Sequence, residues 1–181
     1  MIAAKELLAK HKPAVIGGAL ALVLLSWLCW YFSDRQVIKR QLTALTWDLG
    51  KASRQESTME TALKMRDVKA ALAESCCTLI VPERSRQAES AERDLAVMYL
   101  MHYRDRYETL TLSFDEMEID FPAKGEAAVR SQARLRRQAG PEQSAAETTA
   151  PVLISLKKQD GDWKLTQAEV AEALIGDDLR R

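Results

Sequence analysis

The chain has 181 residues, in which 26 Lys and Arg balance 26 Asp and Glu, so its formal net charge is zero. This balance excludes recruitment of nucleic acid or of an acidic substrate by a bulk positive field. The length suffices for one compact domain with a terminal appendage, but not for two domains.

An apolar stretch without any charge, AVIGGALALVLLSWLCWYF, extends from Ala14 to Phe32. As an α-helix it would be roughly 28 Å long, which matches the hydrocarbon core of a bilayer. A helix of a soluble domain usually turns at least one polar face to water. The stretch therefore predicts a single transmembrane anchor at 14–32.

The residues before the anchor, 1–13, form a short basic tail that contains Lys5, Lys10 and Lys12. This charge favours a cytoplasmic N-terminus, although basic residues also follow the span and reduce the bias. No pattern of small residues for cleavage follows the apolar stretch, so we expect an uncleaved anchor. The sequence thus predicts a single-pass protein of the inner membrane, with its C-terminal domain outside the cytoplasm.

Two helices are predicted directly after the anchor. The first, Asp34 to Leu49, has a capping sequence that begins at Ser33, an apolar stripe at spacings of three and four, and Gly50 at its end. The second, Thr58 to Glu74, follows another capping sequence, which begins at Ser57.

A short strand or extended link, Thr78 to Val81, and a third helix come next. Pro82 suits the first position of a helix, and the apolar spacing predicts that this helix continues to about Tyr107. The residues expected on its packed face are Ala88, Ala91, Leu95, Met98 and His102.

Cys76 and Cys77 are adjacent at the end of the second predicted helix. In an oxidising compartment the two thiols could form a strained vicinal disulfide, which would be easily reduced. Alternatively, at least one of them is a small buried apolar residue. The sequence leaves their redox state open.

From residue 109 the apolar period changes from 3.6 to 2, which predicts β-strands. The strand Leu110 to Phe121 slips by one residue in its alternation at Asp115-Glu116, as a β-bulge does. A turn at 122–125 then leads into the strand Glu126 to Gln138.

A polar loop, 138–150, separates this hairpin from the next one. The second hairpin begins at Val152, turns at Asp160-Gly161 and returns through Trp163 and Leu165. Residues 169–174 are expected to end the domain as the end of a strand or as a short helix. A charged tail, 176–181, follows.

Three helices followed by an antiparallel meander predict an α+β fold in which the helices cover one face of a curved antiparallel sheet. The terminal hairpin, VLISLKKQDGDWKL at 152–165, resembles the last hairpin of nuclear transport factor 2-like (SnoaL-like) domains. The resemblance extends over 34–175 and implies a cone-shaped domain, often a homodimer through its sheet face. It implies no particular activity, because this fold hosts enzymes, ligand binders and interaction modules.

An enzyme on such a fold would place an Asp, His or Tyr inside the cone. Tyr99, His102 and Tyr103 lie on one side of the third predicted helix and Asp115 lies at the bulge, which makes them the candidates for acid-base chemistry. Alternatively, the tyrosines are boundary residues and His102 is a surface or hydrogen-bonded histidine.

The sequence contains no phosphate-binding glycine loop, nucleophile elbow or metal-ligand spacing. We therefore expect no catalytic, cofactor-binding or metal-binding residues.

Acidic and basic rows are predicted to face one another on the first hairpin. The rows are Glu116, Glu118 and Asp120 on one strand, and Arg130, Arg134 and Arg136 on the other. Each close pair would contribute about 0.2–1 kcal/mol. This face is either a docking surface or a solvated face of compensated charge.

Large apolar side chains are expected to fill the cone, whereas a ligand site needs a void of at least about 300 Å³. The expected inward residues are Phe114, Met117, Phe121, Trp47, Met98 and Trp163. This favours a membrane-anchored, non-catalytic interaction or assembly module of the bacterial envelope, which contacts the bilayer, other envelope proteins and no nucleic acid. The layout is similar to that of single-span, cone-domain assembly factors of type IV secretion systems. The alternative is a binder of, or an enzyme acting on, a small apolar ligand or lipid in the cone.

Overall fold

The computed structural model describes residues 22–52, 56–74, 77–80 and 89–175. The chain divides into two units, Met1–Ile38 and Lys39–Arg181. In the first unit residues 22–31 are helical, and the Trp27 ring stacks on Tyr31 with 5.3 Å between centroids. Within the described ranges no helix is long and apolar enough to cross a membrane. The first part of the predicted anchor, 14–21, and both predicted tails, 1–13 and 176–181, lie outside these ranges.

The first two domain helices begin where the sequence predicts them. Helix α1 is Asp34–Leu49, which confirms the predicted bounds, and helix α2 is Thr58–Ala71. At the start of α2 the Ser57 hydroxyl accepts a hydrogen bond from the amide of Glu60 at 3.1 Å, so the predicted cap is present.

Helix α2 ends three residues earlier than predicted because the chain there pairs with the sheet. Leu72 has an extended backbone and forms a bridge with Leu165. The amide of Ala73 donates to the carbonyl of Leu165 at 2.9 Å. This pairing satisfies backbone groups that a longer helix would use internally.

The predicted third helix, from Pro82 to about Tyr107, is wrong over residues 89–91, which form a strand, and its predicted start lies outside the described residues. Strand β1 (Cys77–Ile80) pairs antiparallel with a short strand β2 (Glu89–Ala91), and only then does helix α3 (Arg93–Asp105) begin. Residues 89–91 form inter-strand hydrogen bonds with β1 in place of the helical hydrogen bonds that were expected for them. Cys76 and residues 81–88 lie outside the described part of the chain.

Four long strands complete the domain. They are β3 (Thr109–Ala123), β4 (Glu126–Gln138), β5 (Ala146–Gln159) and β6 (Asp162–Val170), and a short helix α4 (Glu172–Ile175) follows. The sheet order is β2-β1-β6-β5-β4-β3. The four long strands are antiparallel as predicted, but β1 runs parallel to β6, so the sheet is mixed rather than purely antiparallel.

The loop between the hairpins is shorter than predicted. Strand β5 begins at Ala146, which pairs with Arg137, because β4 extends far enough to offer hydrogen-bond partners to the whole segment. Residues 169–174 contribute both the end of β6 and the start of α4, so both expected forms are present.

The bulge predicted at Asp115-Glu116 is confirmed. The β3–β4 register shifts between Asp115 and Glu118, and Glu116 has a positive φ of 55°. The buried hydroxyl of Ser131 on β4 donates to the carbonyl of Asp115 at 2.5 Å. Ser131 thus supplies a hydrogen bond to the backbone at the point where the ladder is interrupted.

Replacement of Ser131 by Ala is therefore expected to lower the free energy of unfolding by about 1–2 kcal/mol, since a buried hydrogen bond is lost. Chemical unfolding of the full chain in detergent micelles measures this change. The control is Ser113→Ala on the neighbouring strand, which should change the stability by less than about 0.5 kcal/mol. Equal effects of the two substitutions would show that Ser131 does not support the bulge.

The core lies between the helices and one face of the sheet. Val129, Ala133 and Leu156 from the strands, and Leu42 and Val68 from the helices, are almost completely buried. Trp163 is 2% exposed and packs against Phe121, with 5.9 Å between ring centroids. Hence one of the six predicted inward residues, Trp163, is a fully buried member of this core.

Three of the predicted inward side chains are exposed instead: Trp47 by 74%, Met98 by 55% and Phe121 by 43%. Trp47 lies two positions after the buried Leu45, which turns it to the opposite side of α1. Phe121 lies near the end of β3, which is an edge strand, so a neighbouring strand lies on one side of it only. Phe114 and Met117 are half-buried.

Helix α3 turns a different face inward from the one predicted. Leu95, Met98 and His102 are exposed, whereas Val97 and Leu100 are half-buried. The helix is apolar on two sides, and the side that packs ends in the buried Arg104. The apolar spacing alone therefore could not identify the packed side.

Candidate functional site: the outer face of the sheet

The four residues predicted as acid-base candidates do not form one site. Tyr99 and His102 are exposed on α3, and the His102 Nε2 atom lies 3.4 Å from the guanidinium of Arg106. Tyr103, on the same helix, is half-buried. Asp115 projects from the side of the sheet that faces away from the core, where its carboxylate pairs with Arg134 at 3.0 Å.

Tyr103 belongs to a contact that holds the C-terminal helix. Its hydroxyl accepts a hydrogen bond from Arg137 at 3.2 Å and donates to the carbonyl of Leu174 at 3.4 Å. Its ring meets that of Tyr107 edge-on at 5.3 Å. These contacts join α3, β4 and α4, which is a structural role for the Tyr103 hydroxyl.

Arg104 is the centre of a buried polar cluster that the sequence analysis did not identify. It is 1% exposed, pairs with the carboxylate of Glu56, and donates to the carbonyl of Gly50 at 3.0 Å and to Thr61 at 3.4 Å. Lys64 approaches the other oxygen of Glu56 at 2.5 Å. The cluster ties the connection between α1 and α2 to α3.

Two opposing effects act on the Glu56 carboxyl. Burial by itself would raise its pKa, but the hydrogen bond from Lys64 and the charges of Arg104 and Lys64 outweigh burial. The pKa of Glu56 is therefore below its ordinary value, and the carboxylate stays ionised in the folded protein. The partners of Arg104 are thus an anion, a carbonyl and a hydroxyl, so the cluster is compensated internally.

The sheet side opposite the core, here called the outer face, carries alternating charges. Alternation on β4 is as predicted, with Val129, Ala133 and Leu135 buried and Arg130, Arg134 and Arg136 exposed. Arg130 pairs with Asp120 at 2.6 Å, and Lys157 pairs with Glu126 at 3.0 Å. Such exposed pairs contribute at most about 1 kcal/mol each.

A groove of about 500 Å³, here called the outer groove, crosses this face and is open to solvent. Its lining includes the carboxylates of Glu116, Glu118 and Glu169, here called the rim, and three apolar residues, Pro151, Leu153 and Ala171, here called the floor. The floor residues and Glu169 come from β5, β6 and the link that follows, far in sequence from the bulge.

The register of the β5–β6 pair explains how Glu169 reaches the groove. A one-residue shift between Ser155 and Leu156 places Leu153 opposite Glu169, so both side chains point to the outer face. The alternation of apolar residues in β6 slips by one between Leu165 and Ala168, and this slip is the signal of the shift that the sequence analysis missed. Across the described ranges, no group of three or more His, Cys, Asp or Glu residues could hold a metal ion, and the groove carboxylates form no such group.

Comparison with known proteins bears on the fold. No family model and no curated protein sequence matches the chain. Matching solved structures include a proposed scytalone dehydratase from Novosphingobium aromaticivorans, with 18% identity and a TM-score of 0.59 over 75% of this chain and 81% of that chain. A proposed dehydratase of the NTF2-like family from Streptomyces avermitilis matches with 10% identity and a TM-score of 0.58, over 77% and 95%.

A hexachlorocyclohexane dehydrochlorinase also matches, with 7% identity and a TM-score of 0.57 over 76% of this chain and 83% of that chain. Similarity at these identities shows the fold and no shared activity. The domain behind the N-terminal segment therefore has the nuclear transport factor 2-like cone fold that the terminal hairpin predicts.

Proposed function

We propose that this protein is a membrane-anchored, non-catalytic interaction module of the bacterial envelope, whose cone-fold domain lies in the periplasm. The observation that carries the proposal is the contrast between the two faces of the sheet. Trp163, Val129, Ala133 and Leu156 pack the inner face, whereas the outer face has an open groove. A face that is close-packed by its own side chains offers little room to a substrate, while an open groove is accessible to another macromolecule.

The proposed anchor is supported by the helical residues 22–31. Large apolar side chains are exposed all around this segment, among them the four consecutive residues Leu22 to Leu25. Transfer of a large apolar side chain from water into an apolar environment is favourable by about 1.5–3 kcal/mol. A bilayer would provide that environment, and the basic tail before the segment favours a cytoplasmic N-terminus.

The full chain is expected to remain in the membrane fraction after alkaline carbonate extraction. The double substitution Leu24→Arg/Leu25→Arg should release most of it, because each Arg raises the cost of insertion by about 2.5–3.5 kcal/mol. The control is Leu95→Arg on α3, an exposed leucine outside the segment, which should leave the protein in the membrane. Extraction of the unmodified chain would contradict the anchor, and digestion by protease added to spheroplasts tests the periplasmic placement.

The non-catalytic assignment is tested separately by native and denaturing mass spectrometry of the detergent-purified full chain. We expect only lipid and detergent that exchange when the detergent is changed. A stoichiometric adduct that survives exchange and is lost on denaturation would instead favour the alternative, a binder of or enzyme on a small apolar ligand or lipid. The same spectrum reports whether the chain is a monomer or the homodimer that the fold resemblance implies.

A further inference from the structure

The carboxylates of the outer face fall into two classes. Those outside the outer groove are paired: Asp115 with Arg134, Asp120 with Arg130, Glu126 with Lys157, and Glu147 with Arg134 at 3.8 Å. The three that line the groove are Glu116, Glu118 and Glu169. Unlike the others, these three form no ion pair or hydrogen bond with any residue that the structure describes.

The charge inside the groove is therefore not compensated by the protein itself. Arg130 is the cation among the lining residues, and its guanidinium is held by Asp120 at 2.6 Å. Three carboxylates thus share a groove with one guanidinium that already has an anionic partner. A positive ligand would meet complementary charge at this place on a face that is otherwise balanced.

The bulge contributes directly to this arrangement. It adds one residue to β3 and leaves Glu116 with a φ of 55°, in the left-handed region that favours glycine. As a result Glu116 and Glu118 both project to the outer face and line the groove. A glycine at position 116 would adopt this backbone more easily but would remove one of the carboxylates.

The floor of the groove favours a ligand that is not purely ionic. Pro151, Leu153 and Ala171 add apolar surface to the lining beside the carboxylates, and a volume of about 500 Å³ is in the range of specific ligand clefts. An extended peptide alternates the direction of its side chains along the chain. It can therefore place an aliphatic side chain on the floor and direct neighbouring cationic side chains to the rim.

We propose that the outer groove binds an extended cationic segment of a partner protein. Lys or Arg side chains of this segment contact Glu116, Glu118 and Glu169, and an aliphatic side chain lies on Pro151 and Leu153. The inference rests on the proposed function as an interaction module and names the chemistry of the partner.

The test begins with selection of displayed random heptapeptides on the full chain in nanodiscs, after subtraction on empty nanodiscs. Selected peptides should contain at least two Lys or Arg residues and an aliphatic residue. Binding of a synthetic selected peptide is then measured by fluorescence anisotropy. Glu118→Gln/Glu169→Gln should weaken it about tenfold, the size expected for two exposed charge contacts.

A matched control removes the same two charges elsewhere. Asp105→Asn/Glu142→Gln changes two exposed carboxylates outside the groove and should alter the affinity by less than about twofold. The charge swap Glu118→Lys/Glu169→Lys should instead prefer a peptide whose Lys and Arg are replaced by Glu. This reversal distinguishes contact in the groove from damage to the fold.

Several results would overturn the proposal: no selected peptide, an acidic or purely apolar consensus, or equal loss in the control. Loss of peptide binding at chain concentrations at which the chain dimerises would also overturn it, since the occupant would then be a second copy. None of these results alters the carbonate extraction or the mass-spectrometric test for a small-molecule adduct. Failure of the groove assignment is therefore distinguishable from failure of the proposed function.

Discussion

Replacement of Arg104 by Met is expected to lower the free energy of unfolding by about 3–5 kcal/mol. The substitution keeps an unbranched side chain but removes the partner of Glu56 and the donors to the carbonyl of Gly50, both in a buried cluster. Removal of a cation from beside a buried carboxylate strongly destabilises the folded protein, even where the intact ion pair contributes little to stability. Denaturant unfolding of the full chain in micelles measures the loss.

The control for this prediction is Arg106→Met on the exposed side of the same region, which should cost less than about 0.5 kcal/mol. The double variant Arg104→Met/Glu56→Gln should regain part of the stability, because the unpaired charge is removed with its partner. If Arg104→Met alone is as mild as Arg106→Met, the buried cluster does not hold the connection between α1 and α2.

The same cluster predicts a dependence of stability on pH. The pKa of Glu56 is lowered in the folded state, so its contribution is present above the unfolded pKa of about 4.3 and is lost as the pH falls through the folded value. Unfolding measured between pH 7 and pH 3 should show this acid-side loss in the unmodified protein. In Glu56→Gln that part of the pH dependence should be absent, whereas Glu142→Gln should retain it.

Trp163→Ala is expected to cost about 3–5 kcal/mol, because it leaves a large cavity in the core. The indole packs against Phe121, Lys158 lies 5.6 Å above its ring, and Gln41 donates to its backbone carbonyl at 2.6 Å. Thermal unfolding measures the loss of stability. Trp163→Phe, which keeps an aromatic ring and leaves a smaller cavity, should cost less than Trp163→Ala.

The matched comparison is Trp47→Ala, at a residue that is 74% exposed. This substitution removes a contact with Lys64, whose Nζ atom lies 5.7 Å from the ring centroid, and should cost at most about 1 kcal/mol. Similar losses at Trp163 and Trp47 would mean that α1 turns its other side to the core.

Local signals predicted the elements that depend on neighbouring residues. The bounds of α1, the start of α2 at the Ser57 cap and the bulge after Asp115 follow from spacing, caps and alternation within a few residues. The Asp160-Gly161 turn forms as predicted, with positive φ at both residues. The terminal hairpin also predicted the cone fold.

The missed features depend on contacts between distant segments. A helix through residues 89–91 satisfies every local rule, but pairing of β2 with β1 gives these residues a different set of hydrogen bonds. The side of α3 that packs carries Arg104, whose charge is paired with that of Glu56 from a different part of the chain. Periodicity shows which residues share a side of a helix, but it does not show which side is covered.

For this protein the sequence by itself determined the apolar N-terminal segment, the order of most helices and strands, and the alternation that separates the two faces of the sheet. These follow from residue types and spacings over short distances. Only the tertiary structure decided that Arg104 is buried, that Trp47 and Met98 are exposed, and that Glu169 meets Glu116 and Glu118 in one groove. Strand register and helix rotation set these features, and both depend on contacts between residues far apart in the chain.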